Sequence, residues 1–145
     1  MPKGRAAYGH VRKPKVEVDG IKFMSPGEAE RYLELYILLK KGHVKHITLQ
    51  PKFELQPKFR KNGVLFRPIV YIADFQIEYS DGRVEIEDVK GWGGYTTPDF
   101  KLKRKMFEWK YPDLSLNLLK RIGKPKVIQS LKDELEVLKN GIPKV

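Results

Sequence analysis

The chain opens with a hydrophobic pattern that predicts a helix after a short extended segment. Apolar side chains recur at helical spacing after residue 28 and cover a broad stripe. Ser25 is placed as an N-cap, Pro26 occupies the first helical position, and Glu28 stands where a capping box has its glutamate. We therefore predict a helix from Pro26 to about Lys41, ended by Gly42.

Most of the remaining chain shows the patterns of strands. Residues 15–23 alternate around an Asp-Gly pair and predict a hairpin, and a turn is predicted at Lys61-Asn62-Gly63. The longer strands are predicted at about 44–50, 52–56, 68–79, 83–90 and 115–119. The run at 68–79 is almost continuously apolar in its first half, as in a strand buried on both faces.

Two further helices complete the pattern. Thr97 and Pro98 start the first, which we expect to end near Lys110. The second is predicted at about 127–139, stopped by Asn140-Gly141. Strands mixed with helices in this order predict an α/β domain.

Composition fits one globular domain and adds a strongly positive charge. The 145 residues carry a net charge of +11 and no cysteine. We read residues 1–15, basic and without periodicity, as a flexible arm and residues 16–145 as one domain. The sequence contains no apolar run of membrane-spanning length and no recognisable signal peptide, so we expect a cytoplasmic protein.

The positive charge is clustered, which favours a nucleic-acid partner. Basic residues gather in the arm, at 101–110 and at 120–126, whereas acids gather at 81–88. Acids facing DNA would repel phosphate unless a metal ion neutralised them. The acidic segment is therefore where metal-dependent chemistry is expected.

Three residues in the central strands suggest that chemistry. Asp74 interrupts an apolar segment, and a charge there needs a partner or a metal. Asp88 and Lys90 are two apart on the next strand, so they project to one face. Two carboxylates and an ammonium can hold a hard cation and stabilise charge on a phosphate. This pattern indicates metal-dependent phosphodiester cleavage.

The turn between the two strands leaves two pairings open. A two-residue Asp-Gly turn would set Asp74 opposite Val89 with Glu87 diagonal to it, and it matches the apolar pattern better. A three-residue turn with a bulge would set Asp74 opposite Asp88 and build the site. We prefer Asp88 over Glu87 as the second acid because only Asp88 shares a face with Lys90.

These motifs resemble those of a known nuclease superfamily. A helix with Glu, a strand with Asp, a strand with D/E-x-K and a further helix are similar to the PD-(D/E)XK nucleases. The strings at 71–75 (YIADF), 87–91 (EDVKG) and 97–105 (TPDFKLKRK) more closely resemble a small phage and prophage family. Its members are usually described as Holliday-junction-resolvase-like endonucleases. The resemblance covers about residues 16–119 and implies a restriction-endonuclease-like mixed central sheet flanked by helices.

The resemblance also implies roles for individual residues. Asp74 and Asp88 would bind Mg²⁺, or Mn²⁺ in its place, together with the carbonyl of Val89 and water. Lys90 would be the catalytic lysine, and Glu28 the helix glutamate that completes the site. Glu28 has an alternative role as a capping residue, with Glu30 as the less favoured substitute. The proline of the superfamily motif does not directly precede Asp74, because the nearest one upstream is at position 68.

The function so implied is that of a metal-dependent DNA endonuclease, selective for branched or junction DNA in phage recombination or replication. Phosphates are expected to be bound by Arg12 and Lys13 in the arm and by Lys101 and Lys105 on one helix face. Trp92 and Tyr95 could stack on an unpaired base or pack their loop.

A resolvase needs two active sites, so a homodimer is expected. The last helix could supply its surface through an apolar stripe of Ile128, Leu131, Leu135 and Leu138. The leading alternative is a non-catalytic nucleic-acid-binding module that retains the nuclease fold. A ribosomal-type RNA-binding protein would share the charge but not the acidic cluster.

Overall fold

The computed structural model describes residues 16–91 and 96–141, and within them three helices and ten strands. The helices are α1 (Pro26–Lys40), α2 (Pro98–Lys110) and α3 (Pro125–Asn140). The first strands are β1 (Val16–Val18), β2 (Ile21–Phe23), β3 (Val44–Leu49), β4 (Lys52–Gln56) and β5 (Phe59–Lys61). The others are β6 (Val64–Phe66), β7 (Ile69–Ile72), β8 (Phe75–Tyr79), β9 (Val84–Lys90) and β10 (Ser115–Lys120). The basic arm with Arg12 and Lys13, and the loop residues Trp92 and Tyr95, lie outside the described residues.

The fold is α/β, as predicted, with a mixed central sheet. Its strand order is β10-β9-β8-β3, in which β10 and β9 are parallel and the other neighbours antiparallel. Helices α1 and α3 pack on one face, where Val89 joins their core. Helix α2 and the β4–β7 pair cover the other face, where Ile86 packs against Phe107. Both faces of β9 are therefore buried.

The sequence capping signals hold in the structure. The Ser25 hydroxyl accepts the N–H of Glu28 at 3.2 Å, and the Thr97 hydroxyl accepts the N–H of Phe100 at 3.1 Å. Both helices begin at the prolines that were expected to start them. Helix α3 begins two residues earlier than predicted, because Pro125 takes its first position.

The single strand predicted at 68–79 is wrong. The chain leaves the strand conformation at Ala73 and Asp74, so that β7 pairs with β4 and β8 pairs with β3. The segment that pairs with these strands bends at the same level, between β3 and β4, where Gln50 has a φ of +47° before Pro51. Backbone bonds span the bend, from Ala73 N–H to the Pro51 carbonyl at 3.1 Å and from Gln50 N–H to the Asp74 carbonyl at 2.9 Å. Asp74 thus stands at a break between two sheets.

The pairing of β8 with β9 follows the three-residue turn. The N–H of Tyr79 donates to the carbonyl of Arg83 at 2.8 Å, and Ile77 lies opposite Glu85. Gly82 has a φ of +92°, the left-handed conformation that such a turn needs. Of the two registers that the sequence left open, the structure has the one that builds the acidic site.

The prediction that the apolar stripe of α3 is an exposed dimer surface is wrong. Ile128 and Leu135 are buried, and Leu131 and Leu138 pack against the same core with α1. A stripe that meets a neighbouring helix of the same chain is not free for a second copy.

Among the described residues, no helix is both long enough and apolar enough to cross a membrane.

A second two-stranded ribbon was missed apart from its turn. Strands β5 and β6 pair on either side of Asn62-Gly63, with Phe59 opposite Phe66. Sequence alternation is short here, and every residue from 56 to 68 is exposed. There was therefore no half-buried pattern to predict these strands.

Candidate active site

The break between β7 and β8 places two carboxylates side by side. Asp74 lies at the break, and Asp88 lies near the end of β9. The N–H of Val89 donates to Asp74 Oδ2 at 2.7 Å, which fixes the first carboxylate against the second strand. The two carboxyl groups are within hydrogen-bonding reach of each other. Both belong to the set that the sequence predicted.

Electrostatics around Asp74 disfavour its charged form. Burial, contact with Asp88 and the charge of Glu28 raise the pKa of Asp74 from 3.8 to about 8. The bond from the Val89 N–H opposes the rise but does not cancel it. Without a cation, Asp74 is therefore largely protonated at neutral pH. Crowded carboxylates of this kind are a site that a positive ion would stabilise.

Lys90 lies on the Asp88 side of β9, as the D-x-K spacing predicted. Its Nζ is 3.4 Å from Asp88 Oδ2 and 3.6 Å from the ring centroid of Phe100 on α2. The ammonium is thus held between a carboxylate and an aromatic face. Its side chain is 18% exposed, so the ammonium is largely desolvated but still reachable.

Tyr71 is a site neighbour that the sequence reasoning did not assign. Its hydroxyl donates to Asp88 Oδ2 at 2.5 Å. Burial and the hydrogen bond to Asp88 raise the pKa of Tyr71, so it remains a donor at any ordinary pH. The contact joins residues 17 apart in sequence. The contact depends on where the fold places β7 relative to β9, and no local motif signals it.

Glu28 lies beside Asp74, in the first turn of α1. Both side chains line a cavity of about 140 Å³, and the charge of Glu28 contributes to the raised pKa of Asp74. Its backbone N–H is the one that Ser25 caps, so the residue serves the helix end and the site together. Glu30 instead faces Arg121 at 4.0 Å. The structure brings Glu28, rather than Glu30, to the carboxylate pair.

Asp88 and Lys90 open into a second cavity, of about 320 Å³, on the α2 side. Tyr71, Asp99 and Lys103 also line it, and Lys103 pairs with Asp99 at 3.7 Å. Lys103 was missed, although it follows Phe100 by three positions and so shares its face of the helix.

The predicted phosphate-binding lysines of α2 lie on its exposed surface. Lys101 and Lys105 are solvent-exposed and do not line either cavity. They are one turn apart, as expected, but belong to a different face from Lys103. The structure thus separates these lysines from the cleft that holds Lys90.

Glu87, the alternative second acid, points to the opposite face of the sheet. It is 2% exposed, and Arg31 on α1 donates to its two carboxylate oxygens, each at 2.7 Å. Arg31 also donates to Glu34 at 2.9 Å. Because Arg31 neutralises Glu87 on the opposite face, Glu87 cannot join Asp74 in a metal site. The structure therefore agrees with the choice of Asp88, which shares a face with Lys90.

Close backbone packing holds Glu28 in place, and no pattern in the sequence predicts it. A side chain at Gly27 would overlap the backbone of Arg121, and one at Gly123 would overlap Pro26. Gly123 also has a φ of +76°. The N-terminus of α1 therefore lies directly on the chain that follows β10. Arg121 strengthens the contact through Glu34 at 3.1 Å.

The carboxylate pair offers the oxygen ligands that Mg²⁺ prefers. Within residues 16–91 and 96–141, no three acidic or histidine side chains are grouped as a metal site. Mg²⁺, however, commonly uses one or two carboxylates and keeps several waters. The N–H of Val89 faces Asp74, and a strand residue points its carbonyl to the same side as its N–H. Asp74, Asp88 and the Val89 carbonyl are therefore a chemically suitable set.

Comparison with known proteins gives a family. The model of the family described as "Protein of unknown function (DUF1064)" matches residues 8–126. The chain belongs to the DUF1064 family. Neither the curated proteins nor the solved structures contain a match. The candidate site residues, from Glu28 to Lys103, all lie inside the range that the DUF1064 family model matches.

Proposed function

We propose that this protein is a metal-dependent endonuclease that hydrolyses phosphodiester bonds in DNA. The observation that carries the proposal is the convergence of Asp74, Asp88 and Lys90 at one break in the sheet of a chain with a net charge of +11. Binding alone gives no reason to bury paired acids beside a basic surface. The resemblance to PD-(D/E)XK nucleases supports the same reading.

Each residue then has a chemical task. Asp74, Asp88 and the Val89 carbonyl would hold Mg²⁺ or Mn²⁺, which when bound polarises a phosphate and lowers the pKa of a water molecule. Tyr71 orients Asp88 through its 2.5 Å hydrogen bond. Lys90, fixed by Asp88 and Phe100, presents an ammonium to negative charge that develops on the phosphate.

Glu28 completes the acidic set from the other side of Asp74. Its position beside that carboxylate suits a group that accepts a proton from water through a short relay. Its helix cap and the close packing of Gly27 hold it there. This fixed placement supports Glu28, rather than Glu30, in the catalytic role.

The finer parts of the proposal rest on the resemblance. They are selectivity for branched or junction DNA, a role in phage recombination or replication, action as a homodimer and a place in the cytoplasm of the host cell. The absence of cysteine suits a reducing compartment. Basic residues of the N-terminal arm and Lys101 and Lys105 are the proposed phosphate contacts outside the cleft.

Cleavage assays test the proposal. Four-way junction, flap and linear duplex DNA are incubated with the protein and Mg²⁺ or Mn²⁺, with chelator as the negative condition. We expect metal-dependent cleavage, abolished by Asp74→Asn and by Asp88→Asn while binding persists or tightens, since a repulsive charge is removed. Glu85→Gln is the matched control, because it changes an acid of the same strand on the other face whose side chain is 25% exposed. No cleavage of any substrate with either metal would favour the non-catalytic binding module.

Lys90 separates catalysis from a surface ion pair. Lys90→Ala should lower the single-turnover rate by roughly 10²-fold or more, because it removes charge that acts on the transition state. Lys90→Arg should rescue only in part, since a planar fork differs from a compact ammonium. The control is Lys45→Ala, which breaks an exposed pair with Glu78 at 3.6 Å. A Lys90→Ala protein that cuts at the wild-type rate would remove this residue from the site.

A further inference from the structure

Residues 56–68 form an exposed, positively charged ribbon, which we call the basic ribbon. Strands β5 and β6 pair within it, and every one of its residues is exposed. It contains four cations and no acid: Lys58, Arg60, Lys61 and Arg67. None of the four forms an ion pair within the described part of the chain. Among the residues that the structure describes, these charges thus have no acidic partner.

The basic ribbon also exposes apolar side chains that the core does not use. Val64 and Leu65 are 53% and 48% exposed, and Phe59 and Phe66 are 40% and 44% exposed. Unmatched cations next to exposed apolar groups suit the surface of DNA, which offers phosphates along its backbone and thymine methyl groups inside the major groove.

The basic ribbon is preformed rather than loose. The rings of Phe59 and Phe66 stack across the strands, with centroids 4.7 Å apart and planes 9° apart. Asn62 and Gly63 both have positive φ, at +52° and +74°, which is the tight turn that matches strand twist. An isolated two-stranded hairpin is marginal in water, so these two features stabilise a shape that contributes little to the core.

Its position relative to the cleft fixes where it would touch a substrate. The ribbon leads into β7, whose Tyr71 and Ile72 line the cavity of Asp88 and Lys90. Ile72 is six positions after Phe66, which is at most about 20 Å of chain at roughly 3.3 Å per residue. With about 3.4 Å per base pair, the ribbon would contact DNA within about six base pairs of the reacting phosphate.

We propose that the basic ribbon is a DNA-binding element that enters the major groove of a B-form duplex flanking the cleavage site. The major groove of B-DNA admits a two-stranded ribbon, whereas that of A-form RNA is too narrow. The proposal names the surface that holds the substrate, and it therefore rests on the proposed function for its choice of DNA.

Salt-dependent binding tests this assignment. Binding of a fluorescent 30-base-pair duplex is measured in chelator, where no cleavage occurs, over a range of salt concentrations. The variant Arg60→Gln/Lys61→Gln/Arg67→Gln should reduce the slope of log affinity against log salt by about 0.9 per lost phosphate contact, hence by 2 to 3. Phe59→Ala/Phe66→Ala should also weaken binding, because the ribbon loses its cross-strand stack.

The matched control is Lys40→Gln/Lys41→Gln/Lys45→Gln. This variant removes the same amount of positive charge from exposed positions. They lie at the end of the central strands away from Asp74. Equal losses for both triple variants, or no loss for the ribbon variant, would overturn the inference. So would equal ribbon dependence with an RNA duplex, or a ribbon variant whose main change is dissociation of a homodimer in sedimentation.

The outcome is separable from the nuclease proposal. Ribbon-dependent binding without any metal-dependent cleavage would retain the inference and sink the nuclease. Metal-dependent cleavage with ribbon-independent binding would do the reverse.

Discussion

Asp74 is an acid that folding places where its charge is unfavourable. Its pKa rises from 3.8 to about 8 through burial, Asp88 and Glu28. A group whose pKa is higher in the folded state binds more protons there than in the unfolded chain. Stability contributed by this residue is therefore greatest at low pH and is lost as pH rises from about 4 to about 8.

Asp74→Asn removes that cost. In chelator, the Tm of the variant should exceed that of wild type by an amount that grows between pH 5 and pH 8, to roughly 5 °C or more, and then levels off. Added Mg²⁺ should narrow the gap by stabilising only wild type. Asp81→Asn is the control with the opposite sign, because bonds from Arg83 lower the pKa of the exposed Asp81. A pH-independent difference for Asp74→Asn would contradict the account.

The candidate site was predictable where local geometry determines it. The period of a strand is enough to put Asp88 and Lys90 on one face, and the break in apolar pattern marks Asp74. Tyr71 and Arg31 were not predictable, because their partners lie 17 and 56 residues away in sequence. Such contacts depend on how elements pack, which a single sequence does not reveal.

At the scale of elements, caps and turns were readable and the bend was not. Helices α1 and α2 begin where side-chain capping chemistry says they should. The separation of β7 from β8 is hidden by a continuous apolar run. The residues that mark the bend lie on the segment paired with these strands, where Gln50 and Pro51 turn the chain after β3. A bend shared by two strands distant in sequence cannot be located from one of them.

Helix α1 and strand β9 are joined by a buried ion pair, and this sets a testable energy. Arg31 and Glu87 have side chains 12% and 3% exposed. Arg31→Met should lower the free energy of unfolding by about 3–5 kcal/mol, since Glu87 is left charged and unpaired. The double variant Arg31→Met/Glu87→Leu should recover most of the loss. Urea denaturation measures each value.

The control for that prediction is an exposed arginine pair. Arg83 and Asp81 are 2.7 Å apart, with side chains 61% and 56% exposed. Arg83→Met should cost less than about 1 kcal/mol. If Arg31→Met lowered the free energy of unfolding by no more than Arg83→Met does, the buried pair would contribute no more to stability than an exposed one.

At the scale of the whole molecule, α3 completes the core although most of this helix lies beyond the residues that the family model matches. The match ends at residue 126, and α3 extends from Pro125 to Asn140. Yet Ile128 and Leu135 belong to the core shared by α1 and the central sheet. An amphipathic pattern alone could not distinguish this from a dimer surface, because both bury one apolar stripe.

Leu135→Ala decides between a core helix and a dimer helix. Leu135 is 2% exposed, so its truncation should cost about 2–5 kcal/mol of stability. Val137, on the outer face at 50% exposure, is the matched control, and Val137→Ala should cost under about 0.5 kcal/mol. Denaturation and sedimentation are run at several protein concentrations. A stripe that served as a dimer surface would instead give a concentration-dependent loss, with the monomer as stable as before. Because the stripe packs on α1, we expect the loss to be the same at every concentration.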